Sequence, residues 1–219
     1  MKISQALGTW FSGNPVLKLA SRVFCAVFLA YYSTVRIRFE NAARLPQNLP
    51  PDRPVIYVFW HDQSFLALGS GRGCGVVSFS LLDWKNRLFD GLCARLGYRT
   101  VPMRSVPVAT RTLIQHLKAG RSAAIALDGP HGPPRRMKPG AFYVSRRTGT
   151  PIVAVRVRMR RSVRAAWRWD RYELPLPFSQ AVFSLSEPIA WENTDDAMRR
   201  VRCFLDGGIP SVPAEPCAA

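Results

Sequence analysis

The run Val55-Ile56-Tyr57-Val58-Phe59-Trp60-His61-Asp62 reads as a short buried strand that delivers an imidazole and a carboxylate to its carboxyl end. β-Branched and aromatic residues suit a pleated, buried strand. Open α/β sheets take their ligands just beyond the carboxyl ends of their strands. The chain has three histidines, so few side chains are suited to accept a proton near neutral pH. His61 is the best placed of them.

Outward from this strand the chain alternates. Gln63 to Leu68 forms a short helix opening at His61-Asp62, and Gly69-Ser70-Gly71-Arg72-Gly73 breaks it. Strands follow at Val76–Phe79, Tyr98–Pro102, Ser122–Leu127 and Pro151–Val157. Between them lie a helix N-capped by Asp83 and stopped by Gly97, one over Thr110–Lys118, and one from about Gly140 to Arg147. This repetition predicts an α/β fold, a mainly parallel mixed sheet flanked by helices. Beyond Val163 the pattern changes, and Trp167–Tyr172 and Ala181–Leu185 read as antiparallel edge strands. A last helix runs from Thr194 to Leu205.

Before the strand at Val55, the uncharged run Val23–Val35 is shorter than the ~20 apolar residues a spanning helix needs. Lys18 and Arg22 share one helical face, while Val16, Leu19, Val23 and Val27 recur on another. Two readings stand: an amphipathic helix lying in a membrane surface, or one packed on the domain. Residues 1–40 are therefore taken as an amphipathic, membrane-associating segment, 41–206 as the α/β domain and 207–219 as a flexible tail.

The formal charge is +17, with 31 basic residues against 14 acidic ones. Such a balance calls for an anionic partner: nucleic acid, an anionic membrane or a phosphorylated substrate. The five cysteines are scattered without CxxC or metal-ligand spacing and read as free thiols. No Walker or Rossmann glycine pattern, GxSxG elbow or metal-ligand cluster is present. No cofactor or metal is implied.

Four stretches gather at the carboxyl ends of the strands: His61-Asp62, the region of Asp83, Arg104-Ser105, and the turn Asp128-Gly129-Pro130-His131-Gly132-Pro133. The turn combines glycines that permit unusual backbone angles with prolines that stiffen the path. Acyl transfer to an alcohol needs a base near neutrality and donors aimed at the oxyanion. His61 supplies the first, and the N–H groups of Gly129 to Gly132 are candidates for the second.

The ordered set Leu96-Gly-Tyr-Arg-Thr-Val-Pro-Met-Arg-Ser, Leu113–Gly120, Ala126-Leu-Asp-Gly-Pro-His-Gly-Pro, Gly140 and Thr148-Gly-Thr-Pro-Ile-Val resembles the bacterial lysophospholipid acyltransferase-like family long known as a domain of unknown function (DUF374). Trp169-Asp170-Arg171 followed by Leu174-Pro-Leu-Pro-Phe-Ser is similar to that family too. The resemblance spans roughly residues 35 to 190 and implies a relationship to the glycerolipid acyltransferases, with their HX4D pair and parallel-rich core. It implies transfer of an acyl group from acyl-CoA or acyl carrier protein, as co-substrate, to a lipid hydroxyl. By position, His61 would be the base and Arg104, with Ser105 beside it, would grip the acceptor's phosphate. Asp128-Gly129-Pro130 and Gly132 would occupy the place of the relatives' Glu-Gly-Thr loop, and Pro151 would match the proline of the last motif.

This chain departs from HX4D, with Leu66 where the aspartate belongs. The carboxylate behind His61 must come from elsewhere, and Asp83 is the first candidate because relatives carry an acidic cluster near it. The implied setting is peripheral, on the cytoplasmic face of a bacterial inner membrane, with membrane lipids and the acyl donor as partners and no nucleic acid. The alternatives are a non-catalytic lipid-binding relative and, on charge alone, a basic nucleic-acid-binding protein.

Overall fold

The structure, a computed structural model, describes residues 15–80, 84–129, 131–190 and 194–207. Strand β2 (Ile56–Phe59) is buried along its whole length. That is what an uninterrupted apolar run requires of a strand covered on both faces. It lies mid-sheet between β5 (Ala123–Ala126) and β6 (Ile152–Met159), parallel to both. With β1 (Arg36–Glu40), β3 (Val77–Ser80), β4 (Arg99–Pro102) and β9 (Gln180–Leu185) the seven-stranded order is β1-β9-β6-β2-β5-β3-β4. All adjacent pairs are parallel except β6 with β9. The mixed, mainly parallel α/β architecture expected from the alternation is the one observed.

Three details differ from the sequence reading. Ala181–Leu185 belongs to an interior strand, because β1 pairs along its outer side. Strand β1 alternates Arg36, Arg38 and Glu40 with Ile37 and Phe39, a period-two signal overshadowed by the charges that close the preceding apolar run. It lies within the stretch assigned to the amino-terminal segment. Trp167–Tyr172 is the loop of a separate hairpin formed by β7 (Ser162–Arg164) and β8 (Glu173–Pro175).

Side-chain alternation along the strands divides the core in two. One face carries Tyr57, Phe59, Val153 and Val155 and meets α1 (Pro15–Ser33), α2 (Ser64–Ser70) and α3 (Trp84–Arg95) through Phe28, Leu66 and Leu92. The other carries Ile56, Val58, Trp60 and Val101. It meets α4 (Val106–Lys118), α5 (Gly140–Thr148) and α6 (Thr194–Asp206) through Leu113, Phe142 and Val201. Leu66 is fully buried, so the HX4D aspartate is replaced by a core residue.

Helix α1 packs on α3 and α2, burying Ser21, Cys25 and Phe28 and leaving Leu19, Val23, Phe24 and Val27 exposed. It is thus packed on one side and apolar on the other. No helix among the described residues is long and apolar enough to cross a membrane.

The α1–α2 contact depends on Gly69. A Cβ there would lie 2.1 Å from Cε2 of Tyr32, whose hydroxyl hydrogen-bonds Ser70 and whose ring sits beside Phe28 and Phe65. Gly69→Ala is expected to force these rings apart and lower stability by about 1–3 kcal/mol, as overpacking does. Urea unfolding checks this, and an unchanged midpoint would mean that α1 yields without cost.

Candidate active site

The chain leaves β2 at Phe59 and makes a single 3-10 turn, His61–Gln63, before α2. Asp128, fully buried at the end of the neighbouring β5, fixes that turn. One of its carboxylate oxygens accepts the backbone N–H of His61 at 2.9 Å and the other accepts that of Arg135 at 2.8 Å. Both oxygens are therefore used on the protein's own backbone. Asp128 thereby positions the His61 backbone and the turn beside it.

The imidazole is 31% exposed, and its Nδ1 lies 2.9 Å from Oδ2 of Asp170. Asp170 has no exposed side-chain surface. Arg168 grips it with a two-pronged fork, Nε to Oδ1 at 2.9 Å and Nη2 to Oδ2 at 2.8 Å. The backbone N–H of Tyr172 adds a third donor at 3.3 Å. Burial alone would raise the carboxyl's pKa. The hydrogen bonds and charge of Arg168, with His61 nearby, outweigh it and hold Asp170 below the usual aspartate range. An ionised Asp170 only accepts, so the Nδ1 facing it carries a proton, which makes Nε2 the acceptor in the neutral tautomer of the ring. Nε2 has no partner among the described residues. Trp169 and Tyr172 flank the imidazole with ring centroids 5.2 and 6.4 Å away, and Arg168 lies over the Tyr172 ring at 5.2 Å.

Asp170 is the site residue that sequence reasoning missed. Its Trp-Asp-Arg setting drew attention only as part of a resemblance. Nothing in local spacing connects positions 61 and 170, which meet because the β7–β8 hairpin folds back over the sheet edge. Asp83 lies outside the described residues. The Oδ2 of Asp62 takes Nε and Nη2 of Arg135 at 3.1 and 2.9 Å, so this carboxylate serves the arginine and not the adjacent imidazole. Burial raises its pKa and Arg135 opposes the rise.

The remaining predicted residues separate into near and far. Gly129 is adjacent, since a Cβ on it would lie 3.6 Å from Cδ2 of His61. Gly132, at φ +67°, passes so close to Trp169 that a Cβ would meet its ring at 2.6 Å, so only glycine fits the turn against the site's aromatic wall. The N–H groups of these two glycines are taken by the carbonyls of Ala126 and Asp128. Of the N–H groups in the Gly129 to Gly132 turn, these two are thus directed at the protein's own carbonyls. Pro130 lies outside the described residues. Arg104 and Ser105 follow β4, exposed on the same sheet edge and three strand spacings, about 14 Å, from β2. Pro151 is at the opposite end, its carbonyl accepting the N–H of Ile56, and is remote from the imidazole. No group of His, Cys, Asp and Glu able to hold a metal occurs among the described residues.

No family model matches the chain. It is 23% identical over 145 residues to the uncharacterized protein RP090 of Rickettsia prowazekii, over 64% of this chain. It spans 65% of that relative's length. Its fold is that of the crystal structure of PlsC, the 1-acyl-sn-glycerophosphate (LPA) acyltransferase of Thermotoga maritima, with a TM-score of 0.55. That match has 17% identity and covers 98% of this chain and 85% of the other.

Because ionisation of Asp170 is favoured in the fold, its contribution to stability is present above about pH 4 and is lost as the pH falls below that. Asp170→Asn is expected to cost about 1–3 kcal/mol at pH 7, with the deficit shrinking at pH 3. Urea midpoints of the two proteins at both pH values check this. A deficit independent of pH would show that packing, not charge, is what Asp170 contributes.

Proposed function

We propose that the chain transfers a fatty acyl group from an acyl thioester, acyl-CoA or acyl carrier protein, to a hydroxyl of a lysophospholipid or related membrane lipid. The observation that carries this reading is the His61–Asp170 pair, with an open Nε2, at the carboxyl edge of a sheet whose fold is shared with an LPA acyltransferase. The acceptor hydroxyl would sit against Nε2. As its oxygen attacks the thioester carbonyl carbon, Nε2 takes the hydroxyl proton and Asp170 stabilises the resulting imidazolium. Collapse of the tetrahedral adduct breaks the C–S bond, and the imidazolium returns its proton to the departing sulfur. The products are an ester and a thiol, with no covalent enzyme intermediate.

Arg104 and Ser105 are proposed to receive the acceptor's phosphate. Arg104 is exposed on the same sheet edge as the imidazole. Location on the cytoplasmic face of a bacterial inner membrane is part of the same proposal. It is supported by the charge of +17 and the exposed apolar face of α1.

Purified protein, labelled acyl-CoA or acyl carrier protein, and a bacterial lipid extract test the chemistry. His61→Ala is expected to lower kcat by ~10²–10⁴, and Asp170→Asn by ~10² or more through loss of the orienting carboxylate. Undiminished transfer by His61→Ala would sink the assignment. Arg104→Ala is expected to raise the acceptor KM more than it lowers kcat, and an unchanged KM would remove it from the acceptor site. No product with either donor would point to a lipid-binding protein without turnover.

A further inference from the structure

The β7–β8 hairpin has its amphipathicity reversed. Val163 and Leu174 stand opposite each other in register and are both exposed, while Glu173 and Pro175 on the other face are buried. Glu173 accepts a hydrogen bond from Ser162 and pairs with Arg164. Leu176 and Phe178 extend the exposed row beyond β8. A ribbon with one face in water ordinarily turns its polar residues outward. Two aromatic rings accentuate the reversal: Trp167 in the hairpin loop is 86% exposed and Phe178 at its base is 81% exposed. Phe178 also adopts φ +62°, a conformation that is costly for a bulky residue. Packing within the chain does not account for holding that ring outward.

Charge surrounds this apolar face. Arg160, Arg161, Arg164 and Arg171 are exposed along the same segment. Among the described residues Arg160, Arg161 and Arg171 form no ion pair. The two acids between Met159 and Ala181, Asp170 and Glu173, are both buried and paired. An apolar and aromatic row bordered by arginine, with no exposed acid, matches the boundary of an anionic bilayer. There the rings enter the acyl region while guanidinium groups meet phosphates.

We propose that the β7–β8 hairpin docks this chain on an anionic lipid surface, with Trp167 and Phe178 as inserted anchors and the arginines on headgroup phosphates. The hydroxyl of Tyr31 in α1 donates to the carbonyl of Pro175, so the hairpin is tied to the other exposed apolar element. Trp167 is three residues from Asp170. The loop that enters the lipid is therefore the loop that orients His61, which places the imidazole next to the interface holding its acceptor. That last step rests on the acyl-transfer reading; the docking does not.

Flotation of the full chain with phosphatidylglycerol–phosphatidylcholine vesicles tests it without any assay of turnover. Trp167→Ala/Phe178→Ala is expected to lower vesicle partition at least tenfold (about 1.4 kcal/mol), although α1 keeps its own apolar face. Partition within twofold of the unaltered protein overturns the proposal. Should that variant fail to fold, Trp167→Phe decides. Lipids brominated along their acyl chains are expected to quench a fraction of the unaltered protein's tryptophan fluorescence that this variant loses, and an undiminished fraction overturns the proposal. Unaltered vesicle partition with lost binding to acyl carrier protein or an oligonucleotide would also overturn it, reassigning the surface to an acidic macromolecule. A protein that docks as expected yet transfers no acyl group leaves the hairpin's role standing while the enzymatic reading fails.

Discussion

A carboxylate with no exposed surface holds this site together. Removing an ionised aspartate from water costs several kcal/mol unless charge and hydrogen bonds replace the lost hydration. Asp170 receives both from Arg168, in the planar two-pronged geometry that suits guanidinium to carboxylate. Two elements have to be in place for this: the hairpin loop folded over the sheet edge, and the His61 turn beneath it. The turn in turn depends on a second buried carboxylate, Asp128, which spends both oxygens on backbone N–H groups. A site assembled from positions 61, 128 and 170 exists only when the long-range fold is complete.

Two buried acids have taken different tasks because their surroundings differ. Asp62 and Asp170 are both buried and both paired with arginine. Asp62 receives its arginine on one oxygen only, its other oxygen has no hydrogen-bond partner, and Asp128 and Glu173 are near, so burial wins and its pKa rises. Asp170 is bound on both oxygens, and its pKa falls. The group whose ionisation the fold favours is the one facing an imidazole, where negative charge orients the ring. The other secures Arg135 and with it the turn beside His61.

The fold was legible because strand and helix periods alternate plainly from Val55 to Val157, and that part of the chain forms the parallel portion of the sheet. Strand β1 is hidden in the sequence because its charges close the preceding apolar run. His61 could be placed from one local fact, its position just past a buried strand. Asp170 could not, since no periodicity links a strand end to a hairpin 109 residues away. The sequence shows Asp128 at a strand end but not its role: a carboxylate in a glycine–proline turn looks the same in sequence whether it meets substrate or backbone. Pro151 shows the converse error, a motif position whose place at the wrong end of β6 becomes visible only with the strand pairing.

The distribution of charge at this edge reflects the same arrangement. The chain has 14 acidic residues, and the buried ones among the described residues are Asp62, Asp128, Asp170 and Glu173, all at this sheet edge or its hairpin. Three of these are paired with Arg135, Arg168 and Arg164, and backbone donors satisfy Asp128. The acids that would otherwise moderate the surface are thus partly consumed in building the site. The edge that presents His61 is left bordered by exposed arginines without exposed acids between Met159 and Ala181. Such a surface raises the local concentration of anionic partners and is weakened by salt. Internal architecture and external field are linked at this edge: carboxylates drawn inward orient an imidazole, and exposed arginines are left facing whatever carries the opposite charge.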